Sequence, residues 1–432
     1  MNKYKNYFIN LIFPAVIFGS VTGILTAVVI TLYKLCAKHV IAASEAGYHF
    51  LRENLLWVLP VLAVLVGVSF LFAYIYRRVP NLKGGGIPTS IGMLRGILLC
   101  RWESNLVGLF FMSLTSFLIG VPLGNEGPSV QMGAALGRGS VRTLAKKHRA
   151  WNRYSMTGGA CAGFSIATGA PISGVLFAIE EAHQRVSPMI LIVSAVSVLF
   201  AGITTDILAP LFSVSTSLFP ELDLITLSVK DIWIPLVVGV AVGLFAVLFL
   251  HYYGWIAALV GKTLKNTPRA WKIFLVFALT VGLGIVSYSF ISTGHELILS
   301  LFEGRTAIAM LLLILFVRST LTLFANTNGI TGGIFLPLLS LGAVLASALG
   351  QVLVSAFGLS ESYYTMILVL GITACISGMM KMPLTAIEDF GKLGETDPFF
   401  KELDECCKAH KGLWNPEAER MIFEHFGVEV GI

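Results

Sequence analysis

The sequence predicts an all-α polytopic membrane protein made of two related halves, with helices that break and re-enter at matching positions. Three observations predict it. Of 432 residues, 56% are hydrophobic and only 12% charged, with a mean hydropathy of +0.82; soluble domains carry roughly 25% charged residues. Long apolar windows recur along the chain, each near or above the roughly 18 residues that a spanning helix needs. Two Gly/Pro-interrupted stretches, far apart in sequence, match one another.

The apolar windows fall at about 7–33, 54–76, 104–123, 189–209, 232–261, 273–292, 308–325 and 334–357, with shorter or broken ones near 84–99, 155–180 and 363–387. The first is too long for a cleavable signal peptide and lacks a small-residue cleavage site. Trp57, Trp102, Trp151 and Trp233 stand near segment ends, where amphipathic rings suit the interface. Basic clusters at Arg77/Arg78/Lys83, Arg142 to Arg153 and Lys262 to Lys272 mark cytoplasmic ends, as do Lys3 and Lys5 at the N-terminus. The 210–229 stretch has no Lys or Arg and is expected outside.

The repeat runs from Pro128-Ser-Val-Gln-Met-Gly133-Ala134-Ala-Leu136 to Pro337-Leu-Leu-Ser-Leu-Gly342-Ala343-Val-Leu345. Further on, Gly159, Ala162 and Pro171 align with Gly371, Ala374 and Pro383. Small residues at such spacings also suit tight helix packing alone, but two matches in one order make a repeat. Paired, broken segments of this kind point to a transporter site at the bilayer midplane, because unwound backbone is tolerated there only where it is buried or lines a cavity.

One of those broken segments, Gly124-Asn125-Glu126-Gly127-Pro128, carries a carboxylate into an apolar setting. An ionisable residue at membrane depth marks an ion or proton pathway. This one stands where a helix N-terminus would aim free N–H groups and its positive dipole end at an anion. A glutamate there competes with an anion for the same donors. Burial opposes its ionisation and the helix ends favour it, so protonation can open the site. Glu126 therefore reads as a gate.

At these residues the chain resembles the CLC family of chloride channels and chloride/proton exchangers. Gly84-Gly85-Gly86-Ile87-Pro88 looks like the family's G-S-G-I-P signature, Gly124 to Pro128 is similar to G-K/R-E-G-P, and Gly333-Ile334-Phe335-Leu336-Pro337 is similar to G-x-F-x-P, in family order. The likeness runs from about residue 10 to about 387. It implies a CLC-type fold of two inverted repeats, a homodimer in the bilayer, and one pathway for anions and protons per subunit. It makes Glu126 the external gate and proton acceptor. Backbone groups of Asn125 and Gly127 would then line the outer anion site, and those of Gly85, Gly86, Ile87, Ile334 and Phe335 the central one. Glu181, at the end of Ala170 to Glu181, falls at the position of the internal proton acceptor. From the residues alone, Glu180 and Glu181 are equally well a solvated helix end paired with His183 or Arg185.

Three positions depart from the family pattern. Gly85 stands where chloride-selective members usually have serine, which removes a hydroxyl donor. Asn125 replaces the usual cation before the gate, which weakens the outer field. From Glu388 onward the chain turns acidic, with 11 Asp/Glu against 5 Lys/Arg in residues 388–432, and no tyrosine follows Tyr364 to serve as a central donor. The tail is either part of a natural variant with a shortened second half or the mark of a truncated or misjoined product.

The expected organisation is a first membrane repeat over 1–209, an external linker over 210–230, an incomplete second repeat over 231–387 and a soluble-like tail over 388–432. The expected function is chloride/proton antiport in a bacterial cytoplasmic membrane. The alternatives are a passive voltage- or anion-gated chloride channel on the same fold and a non-transporting truncated product. Large soluble regulatory domains are absent after the membrane core, which favours a prokaryotic member. No cofactor, metal or enzymatic role is expected, with the anion as substrate. Cys36, Cys100, Cys161 and Cys375 suit apolar packing, and Cys406, Cys407 and His410 lack a partner pair for a metal site. There is no G-x-x-x-x-G-K-[ST] nucleotide loop and no basic stripe with interleaved aromatics for nucleic acid.

Overall fold

The computed structural model describes residues 12–99, 101–144, 151–183, 187–216 and 229–379. The chain divides into two units, Met1–Met380 and Lys381–Ile432. The second lies outside the described residues, and with it the change of composition at 387/388, Pro383 and the Cys406/Cys407/His410 cluster.

Among the described residues the protein is helical, with a single isolated β-bridge. The first half holds α1 (Phe13–Glu53), α2 (Val58–Arg78), α3 (Ile87–Arg95), α4 (Trp102–Ile119), α5 (Glu126–Leu144), α6 (Trp151–Thr168), α7 (Pro171–Phe177) and α8 (Pro188–Phe212). The second holds α9 (Trp233–Thr263), α10 (Arg269–Val286), α11 (His295–Glu303), α12 (Ile308–Thr327), α13 (Phe335–Phe357) and α14 (Glu361–Met379). Nine helices among the described residues are long and apolar enough to cross a bilayer. The chain is an integral, multi-pass membrane protein. Trp102, Trp151 and Trp233 each open a helix and Trp57 directly precedes one, as interfacial anchors would.

Helix packing follows the repeat. In the first half α5 lies against α6 so closely that a Cβ on Gly133 would strike the Gly159 carbonyl, and one on Gly159 the Gly133 carbonyl. In the second half a Cβ on Gly342 would come within 3.0 Å of Gly371 O, and one on Gly371 within 3.2 Å of Gly342 O. Gly133 and Gly159 are the residues that align with Gly342 and Gly371. The glycines that reveal the repeat in sequence are therefore those at which the paired helices cross, where only small residues admit the backbones.

Several apolar windows have different bounds in the structure. The first continues as helix to Glu53, because Ala37, Ser44, Tyr48 and Leu51 keep a buried face beyond the apolar run. At 1.5 Å per residue its 41 residues run about 60 Å, twice the hydrocarbon thickness. The third window leaves the helix at Gly120, in left-handed conformation (φ +82°), and Val121 to Leu123 lead into the site. The window near 155–180 breaks between α6 and α7 at Gly169–Ala170. The 273–292 window ends its helix at Val286, and a short 3-10 turn, Tyr288–Phe290, follows.

That last connection is held by a buried cation. Arg318 of α12 is fully buried, and it donates Nε to Ser340 Oγ (2.8 Å), Nη1 to Ser289 O (3.3 Å) and Ile291 O (2.5 Å), and Nη2 to Ser292 O (2.8 Å). Its charge is met by carbonyl dipoles and a hydroxyl, which suits a group at membrane depth. Ser292 in turn donates its N–H to Gly120 O (2.7 Å), so the guanidinium ties the first turns of α13 to the loop that precedes Glu126.

The crossing of α5 and α6 makes a direct prediction. Gly133→Val should lose more than about 2 kcal/mol or fail to fold, since backbone must shift to admit the side chain. Gly239→Ala, at an exposed site with nothing within 4 Å of a new Cβ, should be neutral. Thermal unfolding of both variants in detergent checks it.

Candidate functional site

Three helices start at one place. The loops that lead into α3, α5 and α13 are zipped by backbone hydrogen bonds. Gly124 and Gly333 exchange both of theirs (N···O 2.6 and 2.7 Å), Gly84 N–H donates to Gly329 O (3.2 Å), and Gly332 N–H donates to Gly84 O (3.4 Å). Glycine is required at this junction. A Cβ on Gly86 (φ +78°) would enter the Gly127 peptide, one on Gly127 would strike Gly85 O, and one on Gly333 would come to 2.8 Å from Gly127 N. Each helix then starts with a proline in its first three residues, Pro88, Pro128 or Pro337, where the lost N–H costs no helical bond.

The junction leaves donors over. Among the described residues the N–H groups of Gly127 and Phe335 close no backbone hydrogen bond. Ile87 differs from its companions: its N–H is already engaged, donating to Gly85 O (2.9 Å). Asn125 uses its carbonyl to accept from Ser129 N–H (3.0 Å) and Ser129 Oγ (2.8 Å), which opens α5.

Glu126 is the charge-bearing side chain in the middle. It is 0% exposed, and neither carboxylate oxygen closes a hydrogen bond of good geometry. The nearest donors are its own N–H and that of Leu336 on the first turn of α13. Gly124 makes room, because a Cβ there would collide with Glu126 Oε2 and approach Leu336 Cβ to 3.0 Å. The carboxylate thus lies on the positive end of a second helix, in the kind of seat that binds a free anion.

Glu181 stands apart, in the π-helical turn Ala178–His183 that follows α7. Arg95 grips this turn, donating Nε to Ala182 O (3.2 Å) and Nη2 to Glu181 O (3.4 Å). His183 Nε2 is 2.8 Å from Thr157 Oγ1, near the start of α6. Arg153 donates to the carbonyls of Leu94 and Arg95, so basic residues gather at this end of the bundle. Glu180 next to it has Oε1 buried without a hydrogen-bond partner among the described residues.

Between the two glutamates α6 rises from Thr157 to Ile166, about 13 Å of helix. Phe164 belongs to this stretch of α6. It stacks on Phe177 (centroids 5.4 Å apart) and meets Phe335 edge-on (5.6 Å), which joins α6, α7 and α13 in an apolar cluster.

Gly85, Gly86, Asn125, Glu126, Gly127, Ile334 and Phe335 come together at the junction of the three loops, and Glu181 stands apart from it. The sequence does not single out Gly124 and Leu336, whose parts emerge only when α5 and α13 are seen end to end. Asn326 also escapes notice. Its Oδ1 lies 3.8 Å from where a Cβ on Gly85 would stand, so a side-chain amide borders the loop that lacks a serine. Lys34, at the edge of the first apolar window, falls inside α1 and donates to Ile166 O of α6 (3.0 Å).

Comparison with known proteins bears on the family and the fold. Residues 67–388 match the model of the family described as "Voltage gated chloride channel", ending beside the compositional change at 387/388. The H(+)/Cl(-) exchange transporter ClcA of Klebsiella pneumoniae is 28% identical over 348 residues, covering 80% of this chain and 72% of the relative. A slow cyanobacterial Cl-/H+ antiporter superposes with a TM-score of 0.78 at 22% identity, covering 86% of this chain and 87% of its own. A CLC-type fluoride/proton antiporter does so with 0.71 at 19%, covering 87% and 89%.

The junction distinguishes two neighbouring glycines. A side chain on Gly85 would meet only ordinary contacts, 3.7 Å to Gly332 O and 3.8 Å to Asn326 Oδ1, whereas one on Gly86 would enter the Gly127 peptide. Gly85→Ser should fold with wild-type thermal stability. Gly86→Ser should lose about 2 kcal/mol or more, or fail to assemble. Gel filtration and melting of the two purified variants give the comparison.

Proposed function

The chain belongs to the voltage-gated chloride channel (CLC) family, and on that premise we propose that it is an anion/proton antiporter of a bacterial cytoplasmic membrane, acting as a homodimer with one pathway per subunit. The observation that carries this reading is the seat of Glu126. A buried carboxylate without a bonded cation lies on the first turn of α13, where an anion would be held. Chloride is the first substrate to test, since antiporters named for chloride and protons stand among the relatives.

The mechanism follows from competition for that seat. Ionised, Glu126 occupies it and excludes the anion. Protonated, it loses its attraction to the helix dipoles, swings out and yields the seat. Glu181 takes protons from the cytoplasmic end and supplies Glu126 from within, while the outer side receives the proton back. The Phe164, Phe177 and Phe335 cluster limits proton leakage between the two carboxyls, so proton transfer stays tied to gate movement. Anion and proton then travel in opposite directions.

Proteoliposomes containing the purified full chain test this. A chloride gradient should drive protons uphill in the wild type. Glu126→Gln and Glu181→Gln should each bring proton movement to the protein-free background. Chloride flux in the wild type without proton movement would make the protein a passive channel and leave Glu181 idle. No flux with the protein intact would support a non-transporting product.

A further inference from the structure

We infer that Lys34 is a positioning residue for the gate: its ammonium, held at the depth of Glu126, adds positive field that favours the ionised, seated carboxylate over the neutral one. The inference rests on the reading of Glu126 as a gate.

Two independent packing registers place it there. Along the crossing of α5 and α6, close approaches pair Gly137 with Ser155, Gly133 with Gly159, and Ser129 with Gly163. Each step of four residues up one helix is matched by four down the other. Three residues further the same register brings Ile166 of α6 to about the level of Glu126. Lys34 Nζ donates to Ile166 O (3.0 Å), and also to Ser215 O (3.0 Å). The second register runs along α1, where Thr22 Oγ1 is 2.9 Å from Ser140 Oγ of α5. Glu126 lies about 21 Å from Ser140 along α5, and Lys34 about 18 Å from Thr22 along α1, at 1.5 Å per residue. Both helices thus reach one level from a shared contact.

The ammonium is anchored by carbonyls, and no carboxylate lies within ion-pair distance of it among the described residues. Its charge is therefore not spent on a bonded partner, and it interacts electrostatically with Glu126. Asn125, next to the gate in sequence, is neutral. On α1 itself stand Tyr33, which bonds Ser113 Oγ of α4 (2.7 Å), Cys36, Lys38, whose Nζ donates to Ser213 O (3.1 Å), and His39, bonded to Leu35 O (2.8 Å), with Glu45, Tyr48, His49, Arg52 and Glu53 further along; Arg138 and Arg142 lie towards the far end of α5, Arg153, Tyr154 and Cys161 on α6, Glu103 on α4 and exposed Asp206 on α8. Of the cations among these, Lys34 is the one in electrostatic contact with the gate.

The test is the pH profile of chloride flux in proteoliposomes, paired with the pH profile of chloride binding by calorimetry in detergent. Losing the cation favours the neutral carboxyl. In Lys34→Met both profiles should move towards higher pH by about one unit. Lys34→Arg should stay near the wild type. Adding Asn125→Lys to Lys34→Met should move the profiles back, a rescue that lost packing would not give. Profiles of Lys34→Met that superimpose on the wild type, or a Lys34→Arg shift equal to that of Lys34→Met, overturn the inference while leaving antiport standing. A wild type that binds chloride without proton-coupled flux fails the antiport reading alone, and the binding profiles then decide the role of Lys34. A wild type that neither binds nor moves chloride overturns both.

Discussion

Everything in this structure depends on unwound backbone being tolerated at membrane depth. Three chain segments give up helical hydrogen bonding at one point, where no solvent replaces it. They are permitted to do so because they bond to one another across Gly84, Gly124, Gly332 and Gly333 and because their glycines let peptide approach peptide. In the proposed function the same compromise does the work: donors left over at helix starts would hold an anion, and the carboxylate on one of those starts would compete for them.

Charge is scarce in such a setting, and each buried charge is bound in a different way. Arg318 is absorbed by carbonyls and a hydroxyl and becomes a structural pin between α12, α13 and the loop before the site. Glu126 is left without a bonded cation, with amides nearest to it and only the more distant field of Lys34, so its ionised form is only conditionally favoured. Lys34 lies between these extremes, anchored by two carbonyls yet uncancelled. The proposed gating by Glu126 depends on this asymmetry, since a fully satisfied carboxylate would not leave its seat.

The sequence made the fold class, the repeat and the site legible for one physical reason: glycine and proline at helix starts have few other uses in apolar segments. Gly133 with Gly159 and Gly342 with Gly371 carry the repeat in sequence because they carry the crossings in space. Hydropathy was less informative about boundaries. It cannot see that α1 continues past Lys34 on a buried face of Ala37, Ser44 and Tyr48, nor that Gly120 ends α4 inside an apolar run. Lys34, Leu336 and Asn326 stayed hidden because their roles arise from neighbours more than a hundred residues away in sequence, or from a backbone group that leaves no mark in residue type.

The central claim is that the Glu126 carboxylate occupies an anion's seat against the Leu336 N–H. Anomalous diffraction from crystals soaked in bromide tests it most directly, comparing the wild type with Glu126→Gln. The account predicts a bromide peak on the first turn of α13 in the variant, at the position the carboxylate holds in the wild type, and none there in the wild type at high pH. A variant that leaves this position empty while bromide binds elsewhere along the pathway would contradict it.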